Sequence, residues 1–105
     1  MKECSVHDLK KSLDAGETLV LLDVREDHEV SFCKIEGSEH VSLGELEEVL
    51  PDMNESSRYI VYCRSGVRSA KAASMMVDSG FENVSNLVGG ILAWSEEIDP
   101  SIPLY

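Results

Sequence analysis

Ile60-Val61-Tyr62-Cys63-Arg64-Ser65-Gly66-Val67-Arg68-Ser69-Ala70 decides the fold: an apolar β-branched run, a cysteine, a short glycine-containing loop, then an alanine-rich stretch. Tyr59 to Tyr62 has the character of a buried strand. Cys63 then stands at the carboxyl end of that strand, the edge at which open α/β sheets bind ligands. Gly66 permits a backbone conformation that a Cβ would oppose, so successive N–H groups can turn toward one point. Ser69 is placed to cap a helix over Ala70 to Ser79, whose positive end would point back at Cys63. Amides, helix end, Arg64 and Arg68 all favour a thiolate, which makes the cysteine reactive at neutral pH. The same cradle suits an anionic substrate.

Working outward, Ser5-Val6-His7-Asp8 has the form of a capping box, with Leu9 and Leu13 on one helical face and Gly16 placed to end the helix. Within Thr18 to Val24, Leu19, Val20, Leu21 and Leu22 run without alternation, which predicts a strand covered on both faces and hence a parallel sheet. Asp23 and Arg25 arrive at its carboxyl edge. They either pair with each other and with local backbone or help to order the reactive region. Asp27 to Cys33 predicts a short helix, Lys34 to Ser38 a turn around Gly37, and His40 to Ser42 a short strand. Leu43 to Leu50 predicts an amphipathic helix closed by Pro51. Beyond the loop, Ala70, Ala73 and Val77 share a helical face flanked by Met76, with Gly80 as its cap. Val84 to Leu87 predicts a strand, Gly89-Gly90 leads into a last helix through Trp94, and Pro100 to Tyr105 is expected to be irregular.

Loop length separates two chemistries. Phosphatase-type loops have the form Cys-x5-Arg, whereas four residues separate Cys63 from Arg68. The smaller ring suits the outer sulfur of a persulfide better than a tetrahedral phosphate or arsenate.

Cys63 to Ser69 resembles the six-residue active-site loop of the rhodanese family of sulfurtransferases, followed by its helix-capping serine. Leu21-Leu22-Asp23-Val24-Arg25 with Glu29 and Ile35-Glu36-Gly37-Ser38 is similar to further family stretches. So are Gly80-Phe81-Glu82-Asn83-Val84, Leu87-Val88-Gly89-Gly90 and Trp94. Glu36 and Ser42 replace two prolines of the common pattern, which costs loop rigidity. The resemblance implies a three-layer α/β/α domain with a small, mostly parallel central sheet. It also implies ping-pong transfer of a sulfane sulfur through a Cys63 persulfide, with no cofactor and no metal. Cys63 would be the catalytic residue and Arg64, Ser65, Gly66, Val67, Arg68 and Ser69 the binding loop. Arg64 and Arg68 would orient an anionic donor such as thiosulfate, Asp23 and Arg25 would support the site, and a thiol, cyanide or partner protein would accept the sulfur. Two alternatives stand beside this one. A phosphatase or arsenate reductase on the same fold is disfavoured by the short loop. A docking or sulfur-relay module is the other, because Leu43-Gly44-Glu45-Leu46 and the Cys63 loop are similar to those of rhodanese domains attached to adenylating enzymes of sulfur insertion; any such enzyme would have to be a separate protein.

Bulk properties narrow the classes. A chain of 105 residues suits one domain, residues 1–105. A formal charge of −11 opposes binding to nucleic acid or an anionic membrane. There is neither a membrane-spanning apolar run nor a signal-peptide pattern, so a cytoplasmic protein is expected, and the domain is expected to act as a monomer. Cys4, Cys33 and Cys63 are odd in number and lack metal-ligand spacing, which argues against a disulfide framework and a zinc site and fits a reducing compartment. His7, His28 and His40 share no such spacing either.

Overall fold

The central run folds as expected, and its alternation builds two cores. In the computed structural model, which describes residues 1–105, Arg58–Tyr62 is a strand whose Tyr59 and Val61 face one hydrophobic cluster while Ile60 and Tyr62 face another. In chain order the elements are β1 (Lys2–Cys4), α1 (Val6–Asp14), β2 (Val20–Asp23), α2 (Asp27–Phe32), β3 (Glu39–His40), α3 (Leu43–Val49), β4 (Arg58–Tyr62), α4 (Val67–Asp78), β5 (Asn83–Leu87) and α5 (Gly90–Glu97). The sheet order is β1-β5-β4-β2-β3, and every pairing is parallel. Leu22, Leu46, Ala72, Ala73 and Met76 fill one core under α3 and α4. Val6, Leu9, Leu21, Ile91 and Trp94 fill the other under α1 and α5. Burying both faces of β4 and β2 is what a parallel sheet requires. The predicted three-layer α/β/α class is therefore observed, with the sheet wholly parallel.

Several local expectations need correction. Helix α4 begins at Val67, with Gly66 in the N-cap position at φ 111°, so Ser69 lies inside the first turn and is not the cap. Glycine tolerates that left-handed conformation, and this starts the helix three residues early. The inner face of α4 is Ser69, Ala72, Ala73 and Met76; Ala70 is half-buried and Val77 exposed. Turning Ser69 toward the cradle carries the positions three and four residues on with it. Residue Pro51 sits within a single 3-10 turn, Leu50–Asp52, and the α-helix stops at Val49. Helix α4 ends at Asp78 with Ser79 as cap, one residue ahead of Gly80. Edge strand β1 had no signal in the sequence: Lys2-Glu3-Cys4 forms it by pairing with Ser85-Asn86-Leu87.

The tail from Pro100 has no regular structure, as expected, but it returns across the sheet's carboxyl edge. The Ser95 hydroxyl donates to the Ile102 carbonyl at 2.5 Å, and Ile102 packs against the α1/α5 core. This delivers Tyr105 to the loop that follows β4, where it meets Arg64. No helix is long and apolar enough to cross a membrane.

Candidate active site

Leaving β4, the chain places Cys63 where strand ends and loop begins, with 1% of its surface exposed. Its Sγ accepts hydrogen bonds from the Gly66 amide at 3.1 Å, the Ser69 amide at 3.4 Å and the Ser69 hydroxyl at 3.4 Å. Burial pushes the thiol up. The Ser69 hydroxyl and amide and the amides of Gly66 and Ser65 outweigh it and hold the pKa below the ordinary cysteine value. Asn86 of β5 fixes the cradle from behind: its side-chain N–H donates to the Gly66 carbonyl at 3.2 Å, and its Oδ1 accepts from the Ser69 hydroxyl at 2.6 Å. Ser69 has one hydroxyl proton and two acceptors, so ionising Cys63 draws that proton toward sulfur. Ser69→Ala is expected to move the pH midpoint of Cys63 alkylation upward and to slow alkylation at pH 7 about tenfold, the worth of one hydrogen bond to a charged group. An unchanged iodoacetamide pH profile would remove Ser69 from thiolate stabilisation.

The outer carbonyls of the loop are satisfied by α5. Ile91 N–H donates to the Cys63 carbonyl at 3.0 Å and Leu92 N–H to that of Arg64 at 3.2 Å. Such close approach needs Gly90, which sits at φ 58°, and a Cβ there would lie 2.5 Å from both carbonyl oxygens. Gly90→Ala therefore combines left-handed strain with a backbone clash, an expected loss of about 3 kcal/mol. Urea denaturation reads it, and a loss under about 1 kcal/mol would contradict the packing.

The two loop arginines are both engaged. Arg68 donates end-on to both Glu29 oxygens, at 2.6 and 2.9 Å, and that carboxylate, with Cys63 nearby, raises its pKa further. Arg64 donates through Nε to the Tyr105 backbone oxygen at 2.6 Å, with its guanidinium 5.2 Å from the Tyr105 ring centroid. Ser65 is exposed, and Val67 stands 78% exposed at the mouth.

Asp23 and Arg25 pair with each other, fully buried. Arg25 donates to Asp23 through Nε at 3.0 Å and an Nη at 2.8 Å. Its other protons reach the Cys33 carbonyl at 2.6 Å and the Tyr105 hydroxyl at 2.8 Å. The pair thus orders the turn after α2 and the tail, and it lies one step behind the cradle. The Tyr105 hydroxyl in turn donates to Glu29 at 2.7 Å. Asp23, Arg25, Tyr105, Glu29 and Arg68 consequently form one chain of ionic and hydrogen bonds.

Arg68 holds the Glu29 carboxyl well below the usual range, at about 2, against the opposing effect of burial. Since the folded value is the lower one, Glu29 contributes full stability above about pH 5 and loses it as pH falls toward 2. Glu29→Gln is expected to flatten the stability-against-pH curve in that window, as read by denaturant titrations at pH 3 and 7.

Two cysteines lie outside this arrangement: Cys4 is buried, and the Cys33 Sγ is 3.9 Å from the Pro103 carbonyl. Asn86 and Tyr105 carry no motif that would single them out. Glu29 was visible only within the family-like stretch.

A parallel α/β domain that sets one cysteine sulfur beyond a strand's carboxyl end, within hydrogen-bond reach of loop amides, defines a class of cradle-bearing α/β proteins. Residues 5–97 match the family described as Rhodanese-like domain, and the chain belongs to that family. It is 37% identical over 100 residues to "Putative sulfurtransferase YtwF" of Bacillus subtilis, covering 95% of this chain and 96% of that protein. It is 36% identical to Adenylyltransferase and sulfurtransferase MOCS3-2 of Zea mays over 93% of this chain, but spans only 22% of that protein. Among solved structures, a rhodanese-related protein from Thermoplasma volcanium is similar with a TM-score of 0.84 and 31% identity, over 93% of this chain and 94% of that one.

Proposed function

We propose that the domain is a sulfurtransferase that moves a sulfane sulfur from a small anionic donor such as thiosulfate to a thiophilic acceptor through a Cys63 persulfide. The carrying observation is the sulfur's three hydrogen-bond donors, which favour a buried thiolate and line the ring in which a persulfide anion would form. In the first step the Cys63 thiolate attacks the outer sulfur of thiosulfate. A new S–S bond forms, the old one breaks, and its electron pair leaves with sulfite. In the second step cyanide, a thiol or a partner protein attacks the outer sulfur, and the electron pair returns to Cys63. Neither step changes the overall electron count, so no cofactor is required. Arg68 and the loop amides meet the donor's charge, while the Asp23–Arg25 pair supports the loop. The chemistry needs a reduced thiol, in keeping with a cytoplasmic domain.

Initial rates with varied thiosulfate and cyanide test the two-step scheme. Parallel double-reciprocal lines are expected, with thiosulfate preferred over mercaptopyruvate. Intersecting lines would require a ternary complex and overturn it. Turnover of a phosphate ester dependent on Cys63 would sink the loop-size argument against a phosphatase. A relay role toward a sulfur-insertion enzyme is the second reading. It is favoured by the corresponding domain within the maize adenylyltransferase and sulfurtransferase, and it uses the same persulfide.

A further inference from the structure

Tyr105 belongs to no loop or strand of the site, yet it touches three of its charged residues. Its hydroxyl accepts from Arg25 at 2.8 Å and donates to Glu29 Oε2 at 2.7 Å, the oxygen that also receives Arg68 at 2.9 Å. Its backbone oxygen and ring hold Arg64, and Phe32 meets that ring edge-on at 5.9 Å. The Glu29 carboxylate is the nearest neutralising charge for Arg68, and Arg68 is the cation placed beside Cys63. Anything that draws charge from Glu29 strengthens the positive field over the sulfur.

We infer that Tyr105 is a positioning residue for the anion site: its hydroxyl links the buried Arg25 to Glu29, so that Glu29 holds Arg68 in place without cancelling it. This deepens the reading of an anionic donor and rests on it. A proton shared from tyrosine competes with Arg68 for the same carboxylate oxygen, and Arg25 polarises that hydroxyl from the other side. Without the hydroxyl, Glu29 turns its full charge on Arg68, and the cradle attracts anions less. The proton stays on Tyr105 at neutral pH, because burial and Glu29 push its pKa up to about 12 against the opposing pull of Arg25.

Tyr105→Phe tests this cleanly, since it keeps the ring against Phe32 and Arg64 and removes only the hydroxyl. Alkylation of Cys63 by iodoacetate and by iodoacetamide, followed by mass at the Cys63 peptide, reads the local charge; the thiolate fraction divides out of the ratio of the two rates. The ratio of iodoacetate to iodoacetamide is expected to fall about threefold in Tyr105→Phe. The KM for thiosulfate should rise by a similar factor, with kcat within about twofold. An unchanged alkylation ratio would overturn the role. So would a joint rise of both rates, which would mark a loosened fold instead. The alkylation ratio needs no sulfur transfer, so failure of the wild-type chain to take up sulfur would count against the sulfurtransferase reading alone.

Discussion

Arg25→Met is expected to destabilise the domain by about 3–5 kcal/mol, the usual cost of stranding one member of a buried ion pair. The side chains of both Arg25 and Asp23 are wholly buried, so the methionine variant leaves a carboxylate with no solvent and no counter-charge. It also removes the donors that satisfy the Cys33 carbonyl and the Tyr105 hydroxyl. Each is a separate desolvation loss. A domain of this size has a total stability of roughly 5–15 kcal/mol, so the variant should melt far below the parent. Asp23→Leu combined with Arg25→Met should recover part of the loss, because an apolar pair demands no solvation. Urea denaturation of the three proteins decides it, and a cost under about 1 kcal/mol for Arg25→Met would mean that water reaches Asp23.

Arg68→Ala should reduce kcat/KM for thiosulfate by about 10²–10³-fold, the range seen when one donor to developing negative charge is lost. The reason is geometric as well as electrostatic. Arg68 is held by a bidentate contact with Glu29, so its position is set before the donor arrives, and preorganisation of this kind is what an exposed flexible cation lacks. Arg68→Lys should recover only part of the rate, because an ammonium cannot engage both carboxylate oxygens in the same planar fork. Arg64 is exposed and meets one backbone oxygen instead of a bidentate carboxylate, so it is the less preorganised cation and should matter less. A loss of under fivefold for Arg68→Ala would transfer the anion-binding role elsewhere.

The strand, the loop and the place of Cys63 between them were legible because their signals are local: an unbroken apolar run, a glycine, and a serine and arginines at fixed offsets. Where two local signals compete, residue type alone does not decide the helix start. Ser69 is a good N-cap by residue type, but Gly66 in a left-handed conformation started the helix earlier and released the serine hydroxyl to Asn86 and the sulfur. The inner face of α4 moved with it. Long-range partners left no mark. Tyr105 meets Arg25 across 80 residues and Glu29 across 76, and nothing in Pro100 to Tyr105 taken alone distinguishes a docked tail from a loose one. The arginines show the same limit: two cations in the loop were visible, whereas their partners, a glutamate on α2 and a backbone oxygen in the tail, depend on how the layers close.

Intact-protein mass after incubation with thiosulfate tests the central claim most directly, comparing the native chain with Cys63→Ser and adding cyanide as a second step. The expected result is a gain of one sulfur that requires Cys63 and is discharged by cyanide. No gain by the folded, reduced native chain, or an equal gain by Cys63→Ser, would contradict it.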